Sequence, residues 1–400
     1  MNKIPNGWKE KKLKYIAEIT SSKRIYEYEY VDSGIPFYRG KEITALKNNQ
    51  KIENFIYISE KRYNELKEKY GVPSKYDILI TAVGTVGNAY TIEDDKPFYF
   101  KDGNLLWLKN IKEYPKFVEY LFECNKNILL NNFFGSVQHA LTISRLENLT
   151  FYFPPLDEQK RIASALSKID AYLENTIKLI EEKERFKRGI AKKLLTCKEG
   201  ENIPEARFKG FEDEWEIVKL GYMFDNFKEK NNEDKIILAS TIDKGVIPNS
   251  LTERKIIRKK ESLSNYKLVK KGCFVISLMS FQSGFEYSDY EGIISPAYTV
   301  LKPKIEMAHY FYKYYFKSFK FIKDLRPYAE GIRHGKQIKF KACKDILVPY
   351  PSIEEQEKIG GYLSLLDEEI DNLKKQKELI KEMKRGAMQK LLSGEVRLLE

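Results

Sequence analysis

Positions 154–196 read PPLDEQKRIASALSKIDAYLENTIKLIEEKERFKRGIAKKLLT, and positions 351–393 read PSIEEQEKIGGYLSLLDEEIDNLKKQKELIKEMKRGAMQKLLS. Laid over each other with a shift of 197 and no gap, 16 of these 43 positions are identical. The shared residues include Glu158/Glu355, Gln159/Gln356, Ile162/Ile359, Leu166/Leu363, Asp170/Asp367, Lys187-Arg188-Gly189/Lys384-Arg385-Gly386 and Lys193-Leu194-Leu195/Lys390-Leu391-Leu392. An ungapped match of that length marks an internal repeat. A fainter echo opens each half: Trp8, Leu13 and Tyr15 correspond to Trp215, Leu220 and Tyr222 with a shift of 207. Between these pieces little is shared, so common frames enclose divergent interiors.

Both repeated stretches read as helices. Prolines (Pro154-Pro155; Pro349 and Pro351) stop the preceding strand, and acidic first turns (Asp157-Glu158; Glu354-Glu355) favour the positive end of the helix dipole. A 4-3 spacing picks out Ile162, Leu166, Ile169, Leu173, Ile180, Ile190 and Leu194 in the first helix. In the second it picks out Ile359, Leu363, Leu366, Ile370, Leu373, Ile380 and Leu391. That is a narrow heptad seam. Helices of nearly 40 residues are roughly 60 Å long at 1.5 Å per residue, longer than a single small domain is wide. Each therefore needs a partner helix, and the other copy has the matching phase.

A linker at about 197–212 spares the chain a return journey only if the helices run antiparallel. Val396-Arg397-Leu398 resembles Ala206-Arg207-Phe208, as though the tail sits by the first half as the linker sits by the second. The globular parts read as short strands, as in IPFYRGKEI (35–43), YDILITAVGTVGNAYTI (76–92), KGCFVISLMSF (271–281) and GIISPAYTVLKP (292–303), with helices near 59–70, 115–130 and 306–324. The expectation is an α+β protein. Two globular domains are separated by two long helices that form an antiparallel coiled coil, one domain at each end of the rod, with pseudo-two-fold symmetry. The boundaries fall at 1–156, 157–196, 197–353 and 354–400.

Composition narrows the chemistry. Seventy Lys and Arg against 58 Asp and Glu give a formal net charge of +12, which suits a polyanionic partner. No run of 18 apolar residues and no leader-like opening is present, so a cytoplasmic location is expected. Cys124, Cys197, Cys273 and Cys343 stand far apart, and His139, His309 and His334 form no metal-ligand spacing, so no metal site is expected. Phe153–Leu156 lacks the acid or amide and the trailing aromatic of an adenine methyltransferase tetrad. Gly331–Gln337 fails the P-loop pattern, and no acidic pair suggests a nuclease, so no catalytic residue is expected.

Polar loop tips remain. Tyr38-Arg39-Gly40-Lys41 places an aromatic, a guanidinium and an ammonium on a turn, where Arg can read a guanine edge and Lys can meet phosphate. Gln138-His139 and Arg333-His334-Gly335-Lys336-Gln337 occupy comparable places, before the strand leading into each helix. Thr85, within the tight-turn signal Gly84–Gly87, and Gln282 complete the candidate DNA contacts.

Taken together the chain resembles the specificity subunit of type I restriction–modification systems. The resemblance rests on P-L-x-E-Q-x-x-I (155–162), P-x-I-x-E-Q-x-x-I (351–359), the Lys-Leu-Leu-[Thr/Ser] helix ends at 193–196 and 390–393, ARFKGFEDEWEIVKLG (206–221) and SGEVRL (393–398). IPFYRGKEI, YDILITAVGTVGNA and GIISPAY (292–298) are similar to its target-recognition domains, although Cys273 stands where that family often has an acidic residue.

The resemblance implies a non-catalytic subunit whose two recognition domains each read half of a split, asymmetric double-stranded DNA target. It implies that the helices set the spacer and dock two methyltransferase subunits, which use S-adenosylmethionine for adenine-N6 methylation. Restriction subunits, if present, would add ATP- and Mg²⁺-dependent translocation and cleavage; this chain itself would hold no cofactor. The alternatives are a stand-alone methyltransferase complex without restriction subunits, an enzyme in its own right, and a coiled-coil scaffold with no DNA role.

Overall fold

A computed structural model describes residues 5–130, 140–252, 260–276, 284–330 and 337–399, with the side chains of 260–262, 330 and 337 excepted. The chain divides into two compact units, Met1–Lys178 with Lys375–Glu400, and Leu179–Lys374. The two repeats are the long helices Leu156–Leu195 and Ile353–Leu392.

In the first unit, strand Lys9–Lys12 pairs antiparallel with Thr150–Phe153, so the segment entering the domain lies beside the one leaving it. Between them sits a four-stranded antiparallel sheet in the order Glu18–Thr20, Leu105–Lys109, Ile78–Thr81, Ala89–Thr91. Helix Pro115–Cys124 buries Phe117, Tyr120 and Phe122 in the core behind this sheet. A second sheet, in the order Tyr30–Val31, Ile56–Ile58, Ile35–Tyr38, Tyr99–Phe100, encloses a smaller core around Phe37, Ile58 and Tyr99.

The second unit repeats the inner layer. Glu216–Lys219 pairs antiparallel with Leu347–Tyr350, and the four-stranded sheet runs Phe224–Phe227, Thr299–Pro303, Phe274–Ile276, Phe285–Tyr287. Its outer layer differs, being built from the two-stranded pairs Leu238–Thr241/Gly245–Pro248 and Lys267–Val269/Gly292–Ile294. Cys273 is buried among Val269, Val275 and Val300, where burial pushes its thiol up.

Within each unit the long helices run antiparallel. In the first, Glu158 meets Arg397, Asp170 meets Lys384 and Tyr172 meets Gln376, so positions rise on one strand of the pair as they fall on the other. In the second, Glu184 meets Lys374 and Lys187 meets Asp367. The expected seam is wider than a coiled-coil stripe at the helix ends. Ile162 and Leu166 are fully buried in the first unit's core with Phe117 and Phe153, joined by Leu391. Leu194, Ile359, Leu363 and Leu366 sit in the second unit's core beside Trp215 and Phe311. Ile180, Ile370 and Ile380 are buried, and Ile169, Leu173, Ile190 and Leu373 half-buried. The stripe thus serves domain packing wherever a domain is available to cover it.

The shared residues of the repeat are those that make these attachments. Glu158 accepts both Nε and Nη2 of Arg397 at 2.7 and 2.8 Å, and Glu355 accepts both from Arg207 at 2.8 Å. Both carboxylates are 1% exposed, so an unpaired charge there would be costly. Gln159 donates to the Pro154 carbonyl and accepts from the Tyr114 amide; Gln356 does the same with Pro351 and Ala308. Tyr120 donates to Asp170 and Tyr314 to Asp367, each at 2.7 Å. Lys384 pairs with Asp170, and Lys187 with Asp367.

Candidate nucleic-acid interface

The segment expected as a turn at Tyr38–Lys41 is instead a strand-to-helix junction. Strand Ile35–Tyr38 runs into helix Gly40–Lys47, which the stretch read as IPFYRGKEI did not reveal. Arg39 is extended and caps the helix: its amide donates to Glu42 Oε2 at 2.8 Å, and its Nη2 donates to Glu42 Oε1 at 2.7 Å. Burial pushes the Glu42 carboxyl up, but the Arg39 hydrogen bonds outweigh it and hold the group below the usual carboxylate range. The Nε/Nη2 edge of Arg39 is thereby spent on its own helix. Tyr38 stacks on Phe98 with centroids 4.8 Å apart and leans on Phe55, so its ring packs on the core that holds Ile43, Leu79 and Trp107. Lys41 stands out from the first turn with its side chain 63% exposed.

Beside this helix lies the loop that joins Ile78–Thr81 to Ala89–Thr91. Gly84 and Gly87 take φ of 77° and 84°, which an L side chain adopts only with strain, and this makes the GTVG stretch a tight turn. The Thr81 hydroxyl donates to the Thr85 carbonyl and accepts from the Asn88 amide, which pins the turn from inside. Thr85 is exposed, and its Oγ1 lies 3.2 Å from Oγ1 of Thr44 on the helix. The fold thus brings Arg39, Lys41 and Thr85 to one place. It adds three residues that sequence reading missed: Thr44, Asn88 and Lys126, whose Nζ donates to Asn88 Oδ1 at 2.6 Å. The signal for Asn88 was available, since it directly follows the second glycine of the turn.

Gln138 and His139 lie outside the described residues, as do Gln282, Arg333, His334 and Lys336. Gln337 belongs to strand Gln337–Ile338, which pairs with Ala329–Glu330, but its side chain is not described. Gln282 falls in sequence between Phe274–Ile276 and Phe285–Tyr287, strands that take the same sheet positions as those flanking Thr85. Among the described residues no group of three His, Cys, Asp or Glu could hold a metal ion, and no helix is long and apolar enough to cross a membrane.

The family model of the type I restriction modification DNA specificity domain matches twice, at residues 5–182 and 212–382. The chain belongs to that family. Among curated specificity subunits, MjaX of Methanocaldococcus jannaschii is 25% identical over 425 residues, covering all of this chain and 96% of its own length. S.HindORF215P of Haemophilus influenzae is 34% identical over 167 residues, 40% of either chain. The crystal structure of a type I restriction–modification S subunit from M. genitalium aligns with TM-score 0.57 at 18% identity, over 98% of this chain and 97% of that one. A chain from a study of complex assembly and conformational transition in a type I system aligns with TM-score 0.59 at 13% identity, over 99% and 100%. These two likenesses bear on the fold alone. Two matched domains and two long helices agree with the α+β organisation expected from the sequence.

Proposed function

We propose that this specificity subunit performs no chemistry of its own and that each unit reads one half of a bipartite, asymmetric DNA target. The long helices set the separation and dock two methyltransferase subunits. Those partners, and restriction subunits where they join, bring S-adenosylmethionine, ATP and Mg²⁺. One observation carries the reading: two frames with matching sheet order and matching ion pairs support outer layers of different construction. Identical attachments serve identical partners, while unlike outer layers serve unlike half-targets. The surplus of lysine supplies sequence-independent attraction to phosphate.

The test replaces residues 1–153 by the corresponding domain of a relative and maps methylated adenines in cells. One half-target is expected to change and the other to persist; a joint change of both overturns the assignment. Binding of random duplex DNA by the full chain is expected to fall steeply with salt, and a flat log–log slope would point to a protein scaffold instead.

A further inference from the structure

The hydroxyl of Thr85 belongs to a chain of hydrogen bonds whose direction is set at one end. The Lys126 ammonium can only donate, so the Asn88 atom it meets is the carbonyl oxygen, and the Asn88 amide nitrogen must face the other way. That nitrogen donates to Thr44 Oγ1 at 3.1 Å. Thr44 commits its single proton to the Gly40 carbonyl at 2.8 Å, as a helical threonine commonly does. Its oxygen is therefore an acceptor toward both Asn88 and Thr85. The contact between the two threonine hydroxyls, symmetric by distance alone, has one direction: Thr85 donates to Thr44. The outward side of Thr85 Oγ1 is left with lone pairs and no proton.

We propose that Thr85 is a specificity-determining residue of the first unit that accepts a hydrogen bond from an exocyclic amino group of a base in the DNA major groove. Those amino groups are adenine N6 and cytosine N4; guanine O6 and N7 and thymine O4 are acceptors and would face lone pair against lone pair. A free hydroxyl would not discriminate, because it rotates to donate or accept as required. Here the rotor is locked by Thr44, and the carbonyl of Thr85 is held by Thr81, so the group is fixed before DNA arrives. Lys41 on the adjoining helix supplies the phosphate attraction that brings a duplex to this edge. The inference rests on the reading of the first unit as a DNA reader.

The experiment is a double-mutant cycle on a target selected from random duplexes by the full chain. Thr85→Val keeps the shape and removes the hydroxyl, and Thr85→Ser keeps the hydroxyl. In the DNA, each amino group of the first half-target is removed in turn, purine replacing adenine and 2-pyrimidinone replacing cytosine. Thr85→Val is expected to bind intact target about tenfold more weakly, with an unchanged melting temperature, while Thr85→Ser stays near wild type. At one position, removal of the amino group should weaken wild type by a similar factor and leave Thr85→Val unaffected; the base there tells adenine from cytosine. If Thr85→Val binds as wild type does, or if every amino deletion weakens variant and wild type alike, the proposal falls while DNA reading stands. If wild type shows no preference for any duplex, the reading of the unit fails and takes this proposal with it.

Discussion

Arg397 reaches Glu158 across 239 residues of chain, and Arg207 reaches Glu355 across 148, yet the two clamps close with the same bidentate geometry. In the first unit the arginine arrives on the chain's tail; in the second it arrives on the linker. Logarithmic loop scaling makes the difference in closure cost only about 0.4 kcal/mol, small beside the about 3–5 kcal/mol lost when one partner of a buried pair is removed. Packing, and not order along the chain, determines the attachment. What differs is the company at each clamp: Arg397 also donates to the Asn6 carbonyl, whereas Glu355 also accepts from the Trp215 indole.

That difference gives the largest expected effect. Glu355→Ala leaves Arg207 without its partner and strips the Trp215 indole of its 2.9 Å acceptor, with an expected loss of about 3–5 kcal/mol by urea unfolding. Glu158→Ala should cost less, about 1–3 kcal/mol, because Arg397 keeps the Asn6 carbonyl as an acceptor. Equal losses would break the distinction between the two clamps.

A smaller contrast lies at one equivalent position of the helices. A Cβ on Gly360 would stand 2.6 Å from the Phe311 amide nitrogen, so the second helix approaches its domain closely there. The first helix carries buried Ala163 in the same place. Gly360→Ala is therefore expected to destabilise by about 1–3 kcal/mol through overpacking, despite alanine's better helix propensity. A stabilised Gly360→Ala would show that the two interfaces are equally spaced.

Tyr120→Phe and Tyr314→Phe each remove one hydroxyl donor to an aspartate, and each should cost about 1 kcal/mol. Here the two units should agree, and a twofold disparity would separate networks that now look alike.

The mildest test is in acid. Burial pushes the Glu123 carboxyl up, but Lys47 and Lys384 outweigh it and hold it below the usual carboxylate range. A carboxylate lowered in the folded state contributes stability above its unfolded value, near 4.3, and loses it as pH falls through the folded value. Wild type should lose its melting-temperature advantage over Glu123→Gln as pH drops from about 5 toward 3. A constant gap would mean that Glu123 acts through shape alone.

The sequence made the frame legible because the frame is written twice. Glu158, Gln159, Asp170 and Lys187, with their copies, were visible as identities before their hydrogen bonds were known. Helix Gly40–Lys47 was not legible: it opens on glycine straight after IPFY, and its start is fixed by the Arg39–Glu42 contacts, which leave only a weak pattern. Thr85 was marked by its glycines, but its partner Thr44 lies 41 positions away on another element, and no local spacing connects them. The half-burial of Tyr38 was not legible either, because its stacking neighbour Phe98 is distant in the chain.

The pairing of Lys9–Lys12 with Thr150–Phe153, and of Glu216–Lys219 with Leu347–Tyr350, has a consequence for inheritance. Everything between each pair of strands leaves and returns at a single neck, and each interior carries its own helix fastener, Tyr120 in the first unit and Tyr314 in the second. A recombination event with both crossovers at the neck would deliver a new interior onto an old mount in one generation. Such a lineage can change what it recognises by leaps, without passing through assemblies that no longer fit together.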